Sequence, residues 1–520
     1  MVPVTRGWVI GAAVTVAVVG ACVVGFQVLT ERERQADRRE ATDVGTRWLR
    51  AWQDGQYAAV DPLSAGSDAP SGALERTDER LQAARKVLTP GPLSPDGTQL
   101  PYTATATLTG LGEFTWASRL RLVESSRGWR VAFDAMTVHP DLANGQRLDR
   151  RSRPTPRAEI IDRAGRPVRA TSADLASNVL GRPARPGGTA SGLERVLSDR
   201  LAGQPSGAVV LSSAESGAEL RELQAYAGTL PVPVRTTLDL AVQAAAEQAL
   251  VGLDSPSALV AVDSATGEIR AAASLPVAGR PRAFTSYAPG SVFKVVTAAA
   301  LLDSGLALSS PLDCPDTFRG TGNASTVRPG PTTLLGAFTQ SCNTAFLSAT
   351  ERLPQGALAR SAQAFGFGLD QLLPIAAESG DFPTGGGSAD ATAAIGQGRV
   401  EASPLLMASV LAAAESGTWR QPSLVPGTPG LVQTPLAPAT ATGLRTMLRS
   451  AVESGSGKAA DLPGSPVSGK TGTAELGGGE MHAWFAGYRD GLAFCVFVER
   501  GTSGGATAAP VGAHFLRALG

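Results

Sequence analysis

The chain has 520 residues, 46 basic and 46 acidic, for a formal net charge of zero, with 43% hydrophobic and 18% charged side chains. That balance suits a globular protein of roughly two to four domains, and offers no bulk field for nucleic acid or an anionic surface. Three histidines, His139, His482 and His514, stand far apart, so a histidine-rich metal site or a Ser-His-Asp triad is poorly supplied.

Residues 8–29, WVIGAAVTVAVVGACVVGFQVL, carry no charge and are long enough as a helix to cross about 30 Å of hydrocarbon. They are read as a membrane anchor. Cys22 ends a lipobox-like VGAC, which makes lipidation the minor alternative. Arg32, Arg34, Arg38 and Arg39 follow the run and only Arg6 precedes it, a bias that by itself points the wrong way for an exported domain. Farther along, Trp48 and Trp52 share one helical face. The stretches YTATATLTG, FTWASRLRLVES and GWRVAFDAMTV read as strands between turns, so a small α+β domain is expected to end near residue 145. The basic, proline-containing run 144–157 reads as a linker, and 158–235 as segments too thin for an independent core.

From about 236 the texture changes. TTLDLAVQAAAEQALVGL is an Ala-rich amphipathic helix, and SALVAVDSATGEIRAAAS is two alternating strands about a turn at Gly267. PVSGKTGTAEL, MHAWFAGY and GLAFCVFVER are strand-like, and GATAAPVGAHFLRALG closes as a helix. Strands at both ends with a helical middle imply one antiparallel sheet assembled from distant segments and flanked by helices. Of four cysteines, Cys22 lies in the apolar run and Cys495 in a strand; Cys314 and Cys342 form the obvious pair for an oxidising compartment, but free buried thiols are expected.

Only four basic positions are lysine against 42 arginines, so each lysine is a candidate for work that arginine cannot do. In SVFK, Ser291 and Lys294 are three apart and share a helical face behind Pro289-Gly290. A serine hydroxyl needs a base to become a nucleophile, and a neutral Lys294 can supply one. Lowering its pKa from about 10.4 toward 7 or 8 takes roughly 4 kcal/mol, which burial and a second cation can provide. Lys470, in SGKTGTAE, is that second cation. SCNTAF supplies Ser341 as a proton shuttle and Asn343 as an amide able to hold both a lysine and a substrate carbonyl.

The ordered set Ser291-x-x-Lys294, Ser341-Cys342-Asn343 and Lys470-Thr471-Gly472 resembles that of the penicillin-binding proteins and related serine β-lactamases. Cys342 stands where the β-lactamase pattern has Asp, which points to the former. YAPGS, FGFG, IGQG and HAWFAGY strengthen the resemblance, which covers about 236–520. It implies a D,D-transpeptidase: Ser291 as nucleophile, Lys294 as base and Ser341 as relay to the leaving nitrogen. Lys470 and Thr471 would bind the substrate carboxylate, and the N–H groups of Ser291 and Thr473 would form an oxyanion hole. No metal or organic cofactor is implied. Expected partners are peptidoglycan stem peptides, β-lactams, and a cell-wall glycosyltransferase or division proteins, with no nucleic acid.

The amino-terminal parts resemble the NTF2-like domain and a reduced dimerisation or pedestal domain of the MecA-type class B group. The expected fold is therefore α+β and multidomain: a transmembrane anchor at 1–30, an NTF2-like domain at 31–145, linker and pedestal at 146–235, and a transpeptidase-like domain at 236–520. Peptidoglycan lies outside the membrane, so the catalytic part is placed there despite the arginine count. A serine β-lactamase, a membrane-bound β-lactam sensor and a non-catalytic scaffold remain as alternatives. Against the first, none of Asn144, Asn178, Asn323 and Asn343 stands four residues after a glutamate.

Overall fold

The computed structural model describes residues 8–66, 70–168, 177–184, 188–276, 280–383 and 392–520, without the side chains of 8–30, 177 and 178. The chain divides into two compact units, Met1–Arg157 with Ala202–Pro231, and Ala158–Leu201 with Val232–Gly520.

The first unit opens with helix α1 (Trp8–Gln53). The side chains of the uncharged run, Cys22 among them, lie outside the described residues, as do the anchor and lipidation expectations that rest on them. Among the described residues no helix is long and apolar enough to cross a membrane. The other end of α1 buries Trp48 and Trp52, whose rings meet edge-on with centroids 5.9 Å apart. They pack over a sheet of five strands, β1 (Ser64–Ala65), β2 (Ala83–Pro90), β3 (Gln99–Leu108), β4 (Gly112–Ser125) and β5 (Gly128–Ala132), in the order β1-β5-β4-β3-β2. Period-two alternation sends Leu100, Tyr102, Ala104, Ala106 and Leu108 of β3 inward and leaves the intervening threonines outside. Helix α2 (Ser71–Leu81) presents Asp78, which pairs with buried Lys86 of β2 and accepts from Trp52 Nε1 (3.2 Å) and Tyr57 Oη (2.8 Å). Of the four lysines, this one has a structural partner.

The basic run expected to be a linker is instead a strand, β6 (Gln146–Arg153), antiparallel to β7 (Ser206–Ser213), which pairs in turn with β8 (Glu219–Tyr226). Leu148 joins Val209 and Leu211 in the core of the first unit. Arg151 is neutralised by Glu219 and Glu222 of β8 at 2.7 and 2.5 Å. A single apolar residue and charges matched only by a distant strand leave no local periodicity to read. The expected boundaries at 145 and 235 shift accordingly, because 146–157 and 202–231 belong to the first unit and 158–201 to the second.

In the second unit, β9 (Ser257–Asp263) and β10 (Ile269–Leu275) precede the middle helices, and β15 (Ser468–Gly477), β16 (Glu480–Arg489) and β17 (Leu492–Gly501) follow them. The sheet order is β10-β9-β17-β16-β15, antiparallel throughout. Strands β9 and β10 are buried on both faces rather than alternating, and the one buried charged side chain inside them, Arg270, is paired with Asp263 and Glu268. Leu259, Ala261 and Phe485 pack with helix α3 (Leu240–Leu250) and the closing helix α9 (Ala509–Leu519). Val260, Val262 and Trp484 face the helical middle, formed by α4 (Lys294–Asp303), α5 (Leu334–Gln340), α6 (Asn343–Thr350), α7 (Pro404–Ser416) and α8 (Pro438–Glu453). The thin segment 158–201 contributes Ile160, Leu193 and Leu201 to this same core.

Between α4 and α5 lie four short strands: β11 (Pro311–Cys314), β12 (Thr317–Phe318), β13 (Thr321–Gly322) and β14 (Gly330–Thr333). β11 pairs with β14, and β12 with β13. Cys314 and Cys342 form a disulfide, overturning the expectation of free thiols, whereas Cys495 is free and buried as expected. A separation of 28 residues carries no local signal; the fold brings the end of β11 to the residue before α6.

Candidate active site

The residues picked out from the sequence converge where α4 and the start of α6 meet β15. Gly290–Phe293 form a 3-10 turn, and Lys294 begins α4 one turn behind Ser291. Gly290 has φ +53°, a left-handed conformation that glycine adopts freely. A methyl placed on it would lie 2.4 Å from Thr473 O and 3.0 Å from Thr473 N, so the Ser291 turn presses backbone to backbone against β15. Gly472 admits the same approach from the other side, since a methyl there would stand 2.5 Å from Pro289 O. Gly290 N also donates to Gly396 O of the IGQG segment at 2.9 Å, tying that motif to the turn.

Lys294 and Lys470 are both fully buried, at 0% exposure, and neither forms an ion pair among the described residues. Burial lowers Lys470 to about 7. Lys294 is driven well below its ordinary value, first by burial and second by the positive charge of Lys470. Lys294 Nζ donates to Ser341 O at 2.8 Å and to Asn343 Oδ1 at 2.7 Å, with Ser341 Oγ at 3.4 Å. A neutral amine has two N–H groups and one lone pair. Both of these close acceptors are carbonyl oxygens, so in the neutral form of the amine they can take its two hydrogens and leave the lone pair free for a proton.

Ser341 ends α5 in a left-handed conformation, φ +62°, unusual for a residue other than glycine and worth on the order of 1 kcal/mol of strain. Its hydroxyl accepts from Lys470 Nζ at 2.8 Å. Along β15 the side chains alternate. Lys470 turns toward Ser341, whereas the Thr471 hydroxyl shares a 2.6 Å hydrogen bond with Ser456 Oγ. Thr473 Oγ1 accepts from Gly504 N at 3.1 Å. Hydrogen bonds thus join Lys294, Ser341, Asn343 and Lys470 directly, while the turn that carries Ser291 meets Gly472 and Thr473 of β15 through backbone contacts, and Thr471 is bonded to Ser456. Sequence reading missed Ser456, in a plain Ser-Gly-Ser-Gly run, and Asn323, noted only as an asparagine without a preceding glutamate.

A helix-flanked antiparallel sheet carrying serine and lysine on one turn, a second serine and an asparagine at a helix start, and a lysine on the edge strand is the layout of the penicillin-recognising serine proteins. The chain belongs to the family of penicillin binding protein transpeptidase domains, which matches residues 257–517. It is 34% identical over 267 residues to a peptidoglycan D,D-transpeptidase, PbpA, of Mycolicibacterium smegmatis, a match covering 44% of this chain and 54% of the relative. The chain spans about half the length of the curated relatives it matches. A solved D,D-transpeptidase domain of a peptidoglycan glycosyltransferase from Eggerthella lenta superposes with a TM-score of 0.60 at 25% identity, covering 70% of this chain and 98% of that one. A chain from a peptidoglycan synthase complex that coordinates polymerization and crosslinking superposes with a TM-score of 0.62 at 25% identity, covering 72% and 92%.

Proposed function

We propose that this protein is a serine D,D-transpeptidase that cross-links peptidoglycan stem peptides and is acylated by β-lactams at the same serine. Ser291 Oγ attacks the carbonyl carbon of the penultimate D-alanine, forming the O–C bond, while its proton passes to Lys294. The C–N bond then breaks, and the proton reaches the departing D-alanine nitrogen through the Ser341 hydroxyl. An amine of a neighbouring stem peptide takes the acyl group and restores the serine.

The observation that carries this reading is the occupancy of Lys294: two carbonyl acceptors take its hydrogens, so the amine one turn from Ser291 keeps its lone pair for the hydroxyl proton. Lys470 and Thr471 receive the substrate carboxylate, whose charge restores the proton to Lys470. The close approach of Gly290 to Thr473 supports an oxyanion hole from the N–H groups of Ser291 and Thr473. Residues 8–29 anchor the chain in a membrane with the catalytic unit outside, where the polymer is. The first unit is read as NTF2-like, and 158–201 as a remnant pedestal. A glycosyltransferase partner is in keeping with the synthase-complex neighbour.

The test is to treat the detergent-solubilised full chain with a fluorescent penicillin and locate the adduct by mass spectrometry. One equivalent on the Ser291 peptide, absent in Ser291→Ala, is expected; a labelled Ser291→Ala protein refutes the assignment.

A further inference from the structure

The geometry points to Asn323 as a positioning residue for the acylation step, acting through Asn343 on Lys294. This rests on the reading of Lys294 as base. Asn323 lies just after the β12–β13 hairpin, 20 residues before Asn343 in sequence, yet its amide is fully committed to the start of α6. Its Oδ1 accepts from Asn343 N at 2.7 Å and Thr344 N at 3.2 Å. Its Nδ2 donates to Pro315 O at 2.8 Å and Thr344 Oγ1 at 3.0 Å. Two donors and two lone pairs are all that a primary amide has.

The adjoining residue completes the device. Gly322 O accepts from Asn343 Nδ2 at 3.0 Å. Because a carbonyl can only accept, the Asn343 amide must turn its nitrogen to Gly322 and its oxygen to Lys294. Were that amide reversed, an N–H pair would face the amine and occupy its lone pair. Residues 322–323 thus decide which face of Asn343 Lys294 meets, and with it where the lone pair points. The disulfide ties the same two stretches covalently, joining the residue before Pro315 to the residue before Asn343. Thr344 Oγ1 adds a bond to Pro315 O at 2.8 Å, and Arg319 in the hairpin pairs with Glu351 just past α6 at 2.5 Å. Hairpin and helix start are held as one body, and Asn323 is the member of that body bonded to the catalytic asparagine's own backbone.

The test measures fluorescent-penicillin acylation of the solubilised full chain, with the limiting rate separated from the half-saturating concentration, for wild type, Asn323→Ala and Asn323→Asp. In Asn323→Ala the limiting rate is expected to fall by about 10- to 100-fold, while the half-saturating concentration stays within about threefold, since orientation and not binding is lost. In Asn323→Asp the carboxylate still accepts from both backbone N–H groups but can no longer donate to Pro315 O, so the rate is recovered in part, to a level clearly above that of the alanine variant. An unimpaired Asn323→Ala, a loss confined to half-saturation, or an Asn323→Asp as slow as the alanine variant overturns the assignment. Should Asn323→Ala not fold, Asn323→Asp decides: a folded, fast enzyme supports the role, and a slow or unfolded one refutes it. Ser291→Ala runs alongside. Labelling there sinks the acyl-enzyme reading itself, whereas an unlabelled Ser291→Ala beside a normal Asn323→Ala sinks only the role of Asn323.

Discussion

Lys470 donates to the hydroxyl of Ser341 at 2.8 Å, placing an amine with a pKa of about 7 against the same side chain that Lys294 reaches from the other direction at 3.4 Å. Two buried lysines around one serine repel each other, and the repulsion falls on Lys294. Replacing Lys470 with methionine removes that charge, so Lys294 regains part of its affinity for a proton. The acidic limb of the acylation pH profile, where Lys294 is protonated and inactive, is expected to move to higher pH in Lys470→Met. An unmoved limb in rate measurements from about pH 5 to about pH 9 would contradict the coupling.

The same burial has a stability consequence whose sign is fixed. Lys470 titrates near 7 when folded and near 10.4 when unfolded, so between those values the unfolded chain binds more protons and stability climbs with pH. The full penalty, on the order of 5 kcal/mol, is present below about pH 7 and gone above about pH 10.4. Lys294 adds to it in the same direction. At pH 6 to 7, roughly, Lys470→Met is expected to melt several degrees above wild type, with the gap closing toward pH 9. A gap that is constant or widens with pH excludes this origin.

Replacing Lys294 with arginine keeps the charge and removes the base, because a guanidinium does not give up its proton at any usable pH. Acylation is expected to drop by at least about 100-fold. Near-normal acylation would show that another group takes the serine proton.

The serines and lysines of the proposed active site were legible in the sequence because their chemistry is scarce here: few lysines, in motifs with fixed internal spacing. The sheet was legible too, since β9, β10, β15, β16 and β17 are each dense local runs of strand-forming residues. What stayed hidden depends on pairs distant along the chain. Arg151 reads as a solvated linker charge until β8 brings Glu219 and Glu222 beside it. Cys314 and Cys342 read as thiols until β11 and α6 converge. Asn323 offers no local pattern, because its partners are backbone groups a hairpin and a helix away.

That disulfide closes a loop of 28 residues around the site, which in the chain-entropy account is worth about 3 to 4 kcal/mol. Cys314→Ser with Cys342→Ser is expected to lose that much in denaturant unfolding. If the hydrogen bonds of Asn323 hold α6 independently, acylation should fall far less than in Asn323→Ala. Equal losses in both would mean that the covalent tie, and not the amide, positions Asn343.

Gly290 offers the sharpest check on the meeting of the Ser291 turn with β15. Alanine there meets two obstacles: φ +53° costs a side chain about 1 kcal/mol, and the new methyl would stand 2.4 Å from Thr473 O. The turn can relieve the second only by moving Ser291 away from Thr473, which separates the two N–H groups assigned to the oxyanion. Gly305, beyond the end of α4, separates these effects, because its φ is +93° but nothing lies within 4 Å of a methyl placed on it. Gly305→Ala is expected to lose a little stability and no activity. Gly290→Ala is expected to lose about 100-fold or more in limiting acylation rate, as the loss of one oxyanion donor does elsewhere. Were Gly290→Ala to acylate at the rate of Gly305→Ala, the contact between turn and strand would have no part in catalysis.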